Sequence, residues 1–166
     1  LTSSYVPLGA MGVSDAIADH FRTNVFWGGL THNSHGLGLA AAEAVIKVIQ
    51  EDDLVQRAAI TGQKIRAEME ALTAKHPCVR DARNIGMFGM VDLQKNSAGE
   101  RMAPYNGTSP AMKDLAAHFR KENLFTFVRW GSFMVNPSLC ISDEDLRLGF
   151  AIIDRGLDLC DAYFEG

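Results

Sequence analysis

The 166-residue chain is 47% hydrophobic and 22% charged, enough for an ordinary globular core and for one domain or one and a fraction. Its net charge of −4, with basic residues scattered along the chain, gives no electrostatic case for nucleic acid. No apolar run approaches the ~18 residues that span a membrane, and the first residues have no signal-peptide pattern. There is no initiator Met, and Leu1-Thr2-Ser3-Ser4-Tyr5 reads as the interior of a longer sequence, so a fragment or processed piece is expected. Cys78, Cys140 and Cys160 are odd in number and widely spaced, which suits reduced, buried thiols in a cytoplasmic protein better than a disulfide framework or a zinc site.

Taken in order, Leu1 to Val13 is small and apolar and is expected to begin a buried turn and strand. Ser14 is a candidate N-cap for a short helix over Asp15 to Arg22, with Ile17 and Phe21 on one face. A glycine-rich polar loop, Trp27 to Gly36, leads into a helix from about Leu37 to Gln50. Leu37, Ala41, Ala44, Val45, Val48 and Ile49 form its apolar stripe, and Glu43 and Lys47 stand in the favourable i,i+4 order. Asp52-Asp53 caps a longer helix to about Lys75, which turns Leu54, Ala58, Ile65, Met69 and Leu72 inward and stops at His76-Pro77.

The texture then changes. Val79 to Arg83 and Ile85 to Leu93 are strand-like, with close backbone packing expected at Gly86 and Gly89. Gln94 to Gly107 reads as an exposed excursion. Ser109-Pro110 starts a helix carrying Met112, Leu115, Ala116 and Phe119 inward and ending near Asn123. Leu124 to Arg129 and Ser132 to Val135 read as two strands around a turn at Trp130-Gly131. Ser142 with Asp143, Glu144 and Asp145 starts a last helix that buries Leu146, Phe150, Ile153, Leu157 and Cys160. The expected organisation is residues 1–51 as the end of a larger domain, 52–77 as a linking helix and 78–166 as a small α+β domain of strand, helix, two strands and helix.

Two places carry candidate chemistry. The first is the loop Trp27 to Gly36. Its glycines admit close approach, Thr31, Asn33 and Ser34 offer hydrogen bonds, and the helix that follows offers free N–H groups and a positive dipole end. Those parts suit an anion; taken alone they are a weak signal for one, and a tight, capped loop is the commoner use of such a stretch. The second is Arg129, at the end of a strand of alternating Phe residues and beside Trp130. A guanidinium in apolar surroundings needs an anion, supplied either by an internal ion pair or by a substrate carboxylate that fits its planar fork. Arg83 faces the same choice. The histidines have no metal spacing: His32 and His35 alone are too few ligands, and no metal site is expected. Nor is there a Gly-x-Ser-x-Gly elbow near Ser3 or Ser4.

Four segments, in one order, resemble the class III (omega) aminotransferases of fold type I, which depend on pyridoxal 5'-phosphate (PLP). Leu1 to Ala10 is similar to the segment directly after the family's Schiff-base lysine. Gly29-Leu30-Thr31-His32-Asn33-Ser34-His35-Gly36 resembles its threonine loop, with Gly36 in place of the usual proline. Arg83-Asn84-Ile85-Gly86-Met87 resembles the Arg-Gly-x-Gly strand that opens the C-terminal domain. Arg129-Trp130-Gly131, followed by Asn136-Pro137, lies where the omega-transaminases carry a carboxylate-binding arginine and a Pro-Pro pair.

The resemblance implies an α/β fold: the C-terminal part of a PLP-dependent transferase, comprising the end of the large α/β domain and the small α+β domain. It implies cofactor binding by Thr31, through its hydroxyl on the PLP phosphate of a neighbouring subunit, and by Leu30 beside it, and substrate-carboxylate binding by Arg129. It places the catalytic lysine upstream of Leu1, so that no residue of this chain is itself catalytic. The implied parent is a cytoplasmic homodimer or higher homo-oligomer with its cofactor site at the subunit interface. It moves an amino group from an omega-amino acid or amine to a keto acid, with pyruvate expected, and engages neither nucleic acid nor membrane. The alternatives are a class III aminomutase or decarboxylating transaminase, or a non-catalytic dimerising fragment.

Overall fold

A computed structural model describes every residue from Leu1 to Gly166. The chain divides into two compact units, Leu1–Val55 and Gln56–Gly166.

In the first unit, helix α1 (Asp15–Thr23) and helix α2 (Gly36–Glu51) are joined by the glycine-rich loop. Both helices stand where the apolar spacing puts them, but little is buried: only Thr2, Gly38 and Ala42. Gly38 and Ala42, with the half-buried Ala41, Val45 and Ile49, form the inner stripe of α2, while Leu37 and Val48 stay exposed. The strand expected in Leu1 to Val13 does not form, because an extended segment becomes a strand only with a partner for its N–H and C=O groups. A local turn replaces it, with the Thr2 hydroxyl donating to the Val6 carbonyl at 2.5 Å and the Tyr5 N–H to the Thr2 carbonyl. Ser14 precedes α1 in extended conformation without a side-chain cap bond. Lys47 pairs forward with Glu51 at 3.8 Å rather than back with Glu43. Asp52 closes α2, and Asp53, at φ +45°, turns the chain into the next helix instead of capping it.

The second unit contains most of helix α3 (Leu54–Lys75), followed by β1 (Val79–Ile85), β2 (Phe88–Leu93), α4 (Pro110–Lys121), β3 (Val128–Arg129), β4 (Ser132–Val135) and α5 (Asp143–Asp161). The strands form one antiparallel sheet in the order β1-β2-β4-β3. The continuous strand-like run after Cys78 folds as a hairpin, with Gly86 at φ +54° in its turn. That turn lies against α3: a Cβ on Gly62 would sit 2.7 Å from the Gly86 backbone. Asn84 fastens the contact, its amide donating to the carbonyls of Gly62 and Gly86 at 2.8 and 2.7 Å.

One face of the sheet is covered. Val91, Leu93, Phe133 and Val135 point into a core completed by Ile65, Met69 and Leu72 of α3, Met112, Leu115 and Phe119 of α4, and Leu146, Phe150, Ile153 and Leu157 of α5. Both later helices are started by their serines: Ser109 accepts from the Met112 N–H at 3.4 Å and Ser142 from the Asp145 N–H at 3.0 Å. Gln94 to Gly107 is less exposed than its composition implies, since Met102 and Ala103 are buried beside Gly131. The end of α3 is tied to α5 through His76, which is 1% exposed and faces Asp161 at 2.6 Å and Asp154 at 2.9 Å, while Lys75 also grips Asp154. Cys78 and Cys160 are buried, and the neighbouring Cys160 thiol, burial and the nearby Asp161 push the Cys78 thiol far above its usual range. Cys140 departs from the expected burial and is exposed, lying in the loop before α5 rather than under a helix.

Candidate functional site

The candidate residues fall in both units, and each unit's share has its own geometry. In the first, the loop turns at Leu30 to Asn33, where the Asn33 N–H donates to the Leu30 carbonyl at 3.1 Å. The Asn33 side-chain amide donates to the Gly28 carbonyl, also at 3.1 Å, which stiffens the approach to the turn. Ser34 takes a left-handed φ of +55°, and the chain enters α2 at Gly36 with His35 as an N-cap that makes no side-chain cap bond. The leading N–H groups of α2 are therefore left without a capping side chain. Thr31 and Leu30 are both exposed, and the Thr31 hydroxyl makes no hydrogen bond within the chain. A free hydroxyl beside an uncapped helix start is a donor set suited to a phosphate, so the residues present fit the phosphate end of PLP.

In the second unit, Arg129 closes the β3–β4 hairpin opposite Ser132. It is exposed and has neither an ion pair nor a hydrogen bond within the chain. Its guanidinium lies 4.5 Å from the ring centre of Trp130 and 5.9 Å from that of Phe127, within cation–π range. Trp130 packs in turn on Tyr105 at 4.4 Å. Val128, Arg129 and Trp130 also line a groove of about 330 Å³ between α4 and β3, together with Thr108, Lys113 and Arg120. Of the two readings open for Arg129, the internal ion pair is not what the fold provides. For Arg83 it is: its guanidinium bonds Asp81 at 2.5 Å and Asp92 at 2.7 Å.

Asp92 links the two arginines' surroundings. The register aligns Asp81, Asp92, Ser132 and Arg129 in one row across the uncovered face of the sheet. The Ser132 hydroxyl donates to Asp92 Oδ1 at 2.5 Å, and Arg83 and, at 3.7 Å, Arg80 reach its other oxygen. Burial alone would raise the Asp92 carboxyl; the Ser132 hydroxyl and the Arg83 guanidinium outweigh it, helped by Arg80, and hold it below the usual carboxylate range.

Residues 1–157 match the family described as aminotransferase class-III. The chain belongs to the class III aminotransferases. The family is PLP-dependent, and the chain is similar in structure to a taurine:2-oxoglutarate aminotransferase from Bifidobacterium kashiwanohense, solved with PLP and glutamate. Our chain superposes on it with a TM-score of 0.88 at 32% identity, covering 99% of this chain and 37% of that one. An S-selective transaminase from Arthrobacter sp. has the same fold, at a TM-score of 0.86 and 22% identity over 97% of this chain and 37% of that one. Among curated relatives, a putrescine–pyruvate aminotransferase of Pseudomonas aeruginosa is 26% identical over 161 residues, 93% of this chain and 34% of its own length. The class III aminotransferase chain described here thus spans a little over a third of the length of these relatives. Its α/β fold corresponds to the C-terminal part of theirs.

Reading residues singly missed Tyr105, Asp92 and Ser132. Tyr105 lies in a turn-rich stretch with no periodicity to mark it, and only the register of β2, β4 and β3 brings Asp92 and Ser132 into line with Arg129. Trp130 was visible as a neighbour in sequence, but not as a surface on which the guanidinium rests.

Proposed function

We propose that this chain supplies the phosphate-holding loop and the carboxylate-holding arginine of an aminotransferase that moves an amino group from an omega-amino acid or amine to a keto acid, with pyruvate as acceptor. Thr31 donates its hydroxyl to the PLP phosphate, the start of α2 adds backbone N–H groups, and Leu30 packs beside the cofactor. Arg129 takes the keto acid's carboxylate in two parallel hydrogen bonds and thereby orients the adjacent carbonyl. When bound, PLP supplies the electron sink through which the amino group is carried between the two substrates.

The observation that carries this reading is the free fork of Arg129: an arginine stacked on Trp130, with no acidic partner in a fold that pairs Arg83 twice. The open apolar groups of the first unit, including Phe26, Trp27, Leu30 and Leu39, support the larger assembly of the reading, in which the rest of a longer chain and a second copy cover them. In the same proposal, residues 1–51 close a large domain, 52–77 link, and 78–166 form the small domain.

The test is a substrate panel on the full-length PLP-loaded enzyme. Transfer from a diamine or omega-amino acid to pyruvate, lost with Arg129→Ala while bound PLP is retained, supports the reading. A preference for 2-oxoglutarate would keep the class and replace the acceptor. Equal loss of PLP and activity in Arg129→Ala would remove the carboxylate role.

A further inference from the structure

We propose that Trp130 is the positioning residue for Arg129: its indole, backed by Tyr105, holds the guanidinium over its face and away from Asp92, so that the fork is left for a substrate carboxylate. The inference rests on the carboxylate reading of Arg129 and names what makes that reading possible.

Three observations converge on it. The first is the aromatic contact itself, with Tyr105 tilted at 43° against Trp130, ring centres 4.4 Å apart, and the Arg129 guanidinium 4.5 Å from the Trp130 ring centre. A cation on an aromatic face keeps its N–H groups in the guanidinium plane free to donate outward.

The second is backbone conformation. Trp130 has φ +54°, in the left-handed region where a side chain is costly and glycine is not. The hairpin turn at Trp130-Gly131 would form more readily with glycine there. An indole kept at a position that favours its absence points to a task for the side chain.

The third is the row Asp92, Ser132, Arg129. Asp92 stands two strand spacings away, about 10 Å, within reach of an extended arginine on the same face. It is already engaged by the Ser132 hydroxyl at 2.5 Å and by Arg83 at 2.7 Å. Asp92 keeps acceptor capacity beyond these two partners, and the aromatic platform on the other side holds Arg129 apart from it. Without the platform, the arm is free to collapse across Ser132 onto Asp92.

The experiment compares Trp130→Gly, Trp130→Phe and Arg129→Ala in the full-length PLP-loaded enzyme, with one carboxylate-bearing and one carboxylate-free substrate. Trp130→Gly is expected to raise KM for the keto acid about two- to fivefold, to change kcat/KM for a carboxylate-free amine by less than twofold, and not to lower the thermal midpoint, since glycine suits the turn. Trp130→Phe keeps most of the keto-acid affinity. Adding Asp92→Asn to Trp130→Gly recovers part of the loss. A second readout is independent of turnover: in protein labelled with 15N-arginine, the Arg129 Nε–Hε resonance carries an upfield ring-current shift that Trp130→Gly abolishes.

An unchanged keto-acid KM in Trp130→Gly, or an equal loss for both substrates, overturns the inference; so does an Arg129 resonance indifferent to Trp130. If Arg129→Ala is severe and Trp130→Gly is silent, only this inference falls. If Arg129→Ala is itself silent, the carboxylate reading falls and takes the inference with it.

Discussion

Arg129 and Thr31 stand out by what they lack. Each is a strong donor that the fold has not satisfied: Thr31 keeps a free hydroxyl beside an uncapped helix, and Arg129 keeps a guanidinium with no carboxylate. A hydrogen bond to a charged group contributes about 1.5–3 kcal/mol, which corresponds to roughly 10- to 100-fold in affinity. Thr31→Val in the full-length enzyme is therefore expected to weaken PLP binding by about that factor, read by the spectral titration of the cofactor, while keto-acid KM at saturating PLP changes little. Arg129→Ala is expected to do the reverse, raising keto-acid KM by roughly 10- to 100-fold with PLP binding unchanged. The two variants test the proposed phosphate and carboxylate roles separately, and crossed effects would show that the roles are misassigned.

At the scale of elements, stability in the second unit rests on a few fixed contacts between helices and sheet. Ser142 starts α5 by accepting from the Asp145 N–H, and Ser142→Ala is expected to cost about 1 kcal/mol, measured as a lower urea midpoint with unchanged slope. Gly62 is stricter. Its Cβ position is occupied by the Gly86 backbone at 2.7 Å, so Gly62→Ala pushes the β1–β2 hairpin off α3 and strains the Asn84 clamp that joins them. Overpacking of this kind costs typically 1–3 kcal/mol, more than the gain in helix propensity from glycine to alanine. A stabilised Gly62→Ala variant would show that the close approach is not maintained in solution.

Across the whole molecule, folding holds several carboxylates ionised, and that sets the response to acid. The Lys75 and His76 side chains hold Asp154 below its ordinary value of 3.8 against a smaller opposing effect of burial. Asp92 is held below the same value, because Ser132 and Arg83 together outweigh the burial that pushes it up. A carboxyl depressed in the folded state binds fewer protons there than in the unfolded chain. Its stabilisation is present above the unfolded value and is lost as pH falls through the folded one. Urea midpoints measured between neutral pH and pH 3 should thus fall below about pH 4. The gap between wild type and an Asp92→Asn, Asp154→Asn double variant should close over the same interval. A gap that persists at the acid end would mean that these carboxylates act by packing and not by charge.

How much of this was legible beforehand follows from the range of the interactions involved. The helices α2, α3, α4 and α5, the serine caps of α4 and α5 and most of the inward residues could be read from the chain, because helical spacing and capping are local. So could the Trp130-Gly131 turn and, through four short segments in order, the family. Pairing partners were a different matter. Leu1 to Val13 has the composition of a strand but nothing to pair with, Lys47 chose Glu51 over Glu43, and Cys140 stayed outside the core, each decided by what else lies nearby in space. The sequence by itself determined the elements and the family, since those depend on residues a few positions apart. Only the tertiary structure decided that Arg83 is paired while Arg129 is free, because sheet register places Asp92 between them and only the folded excursion through Tyr105 carries an aromatic ring to Trp130.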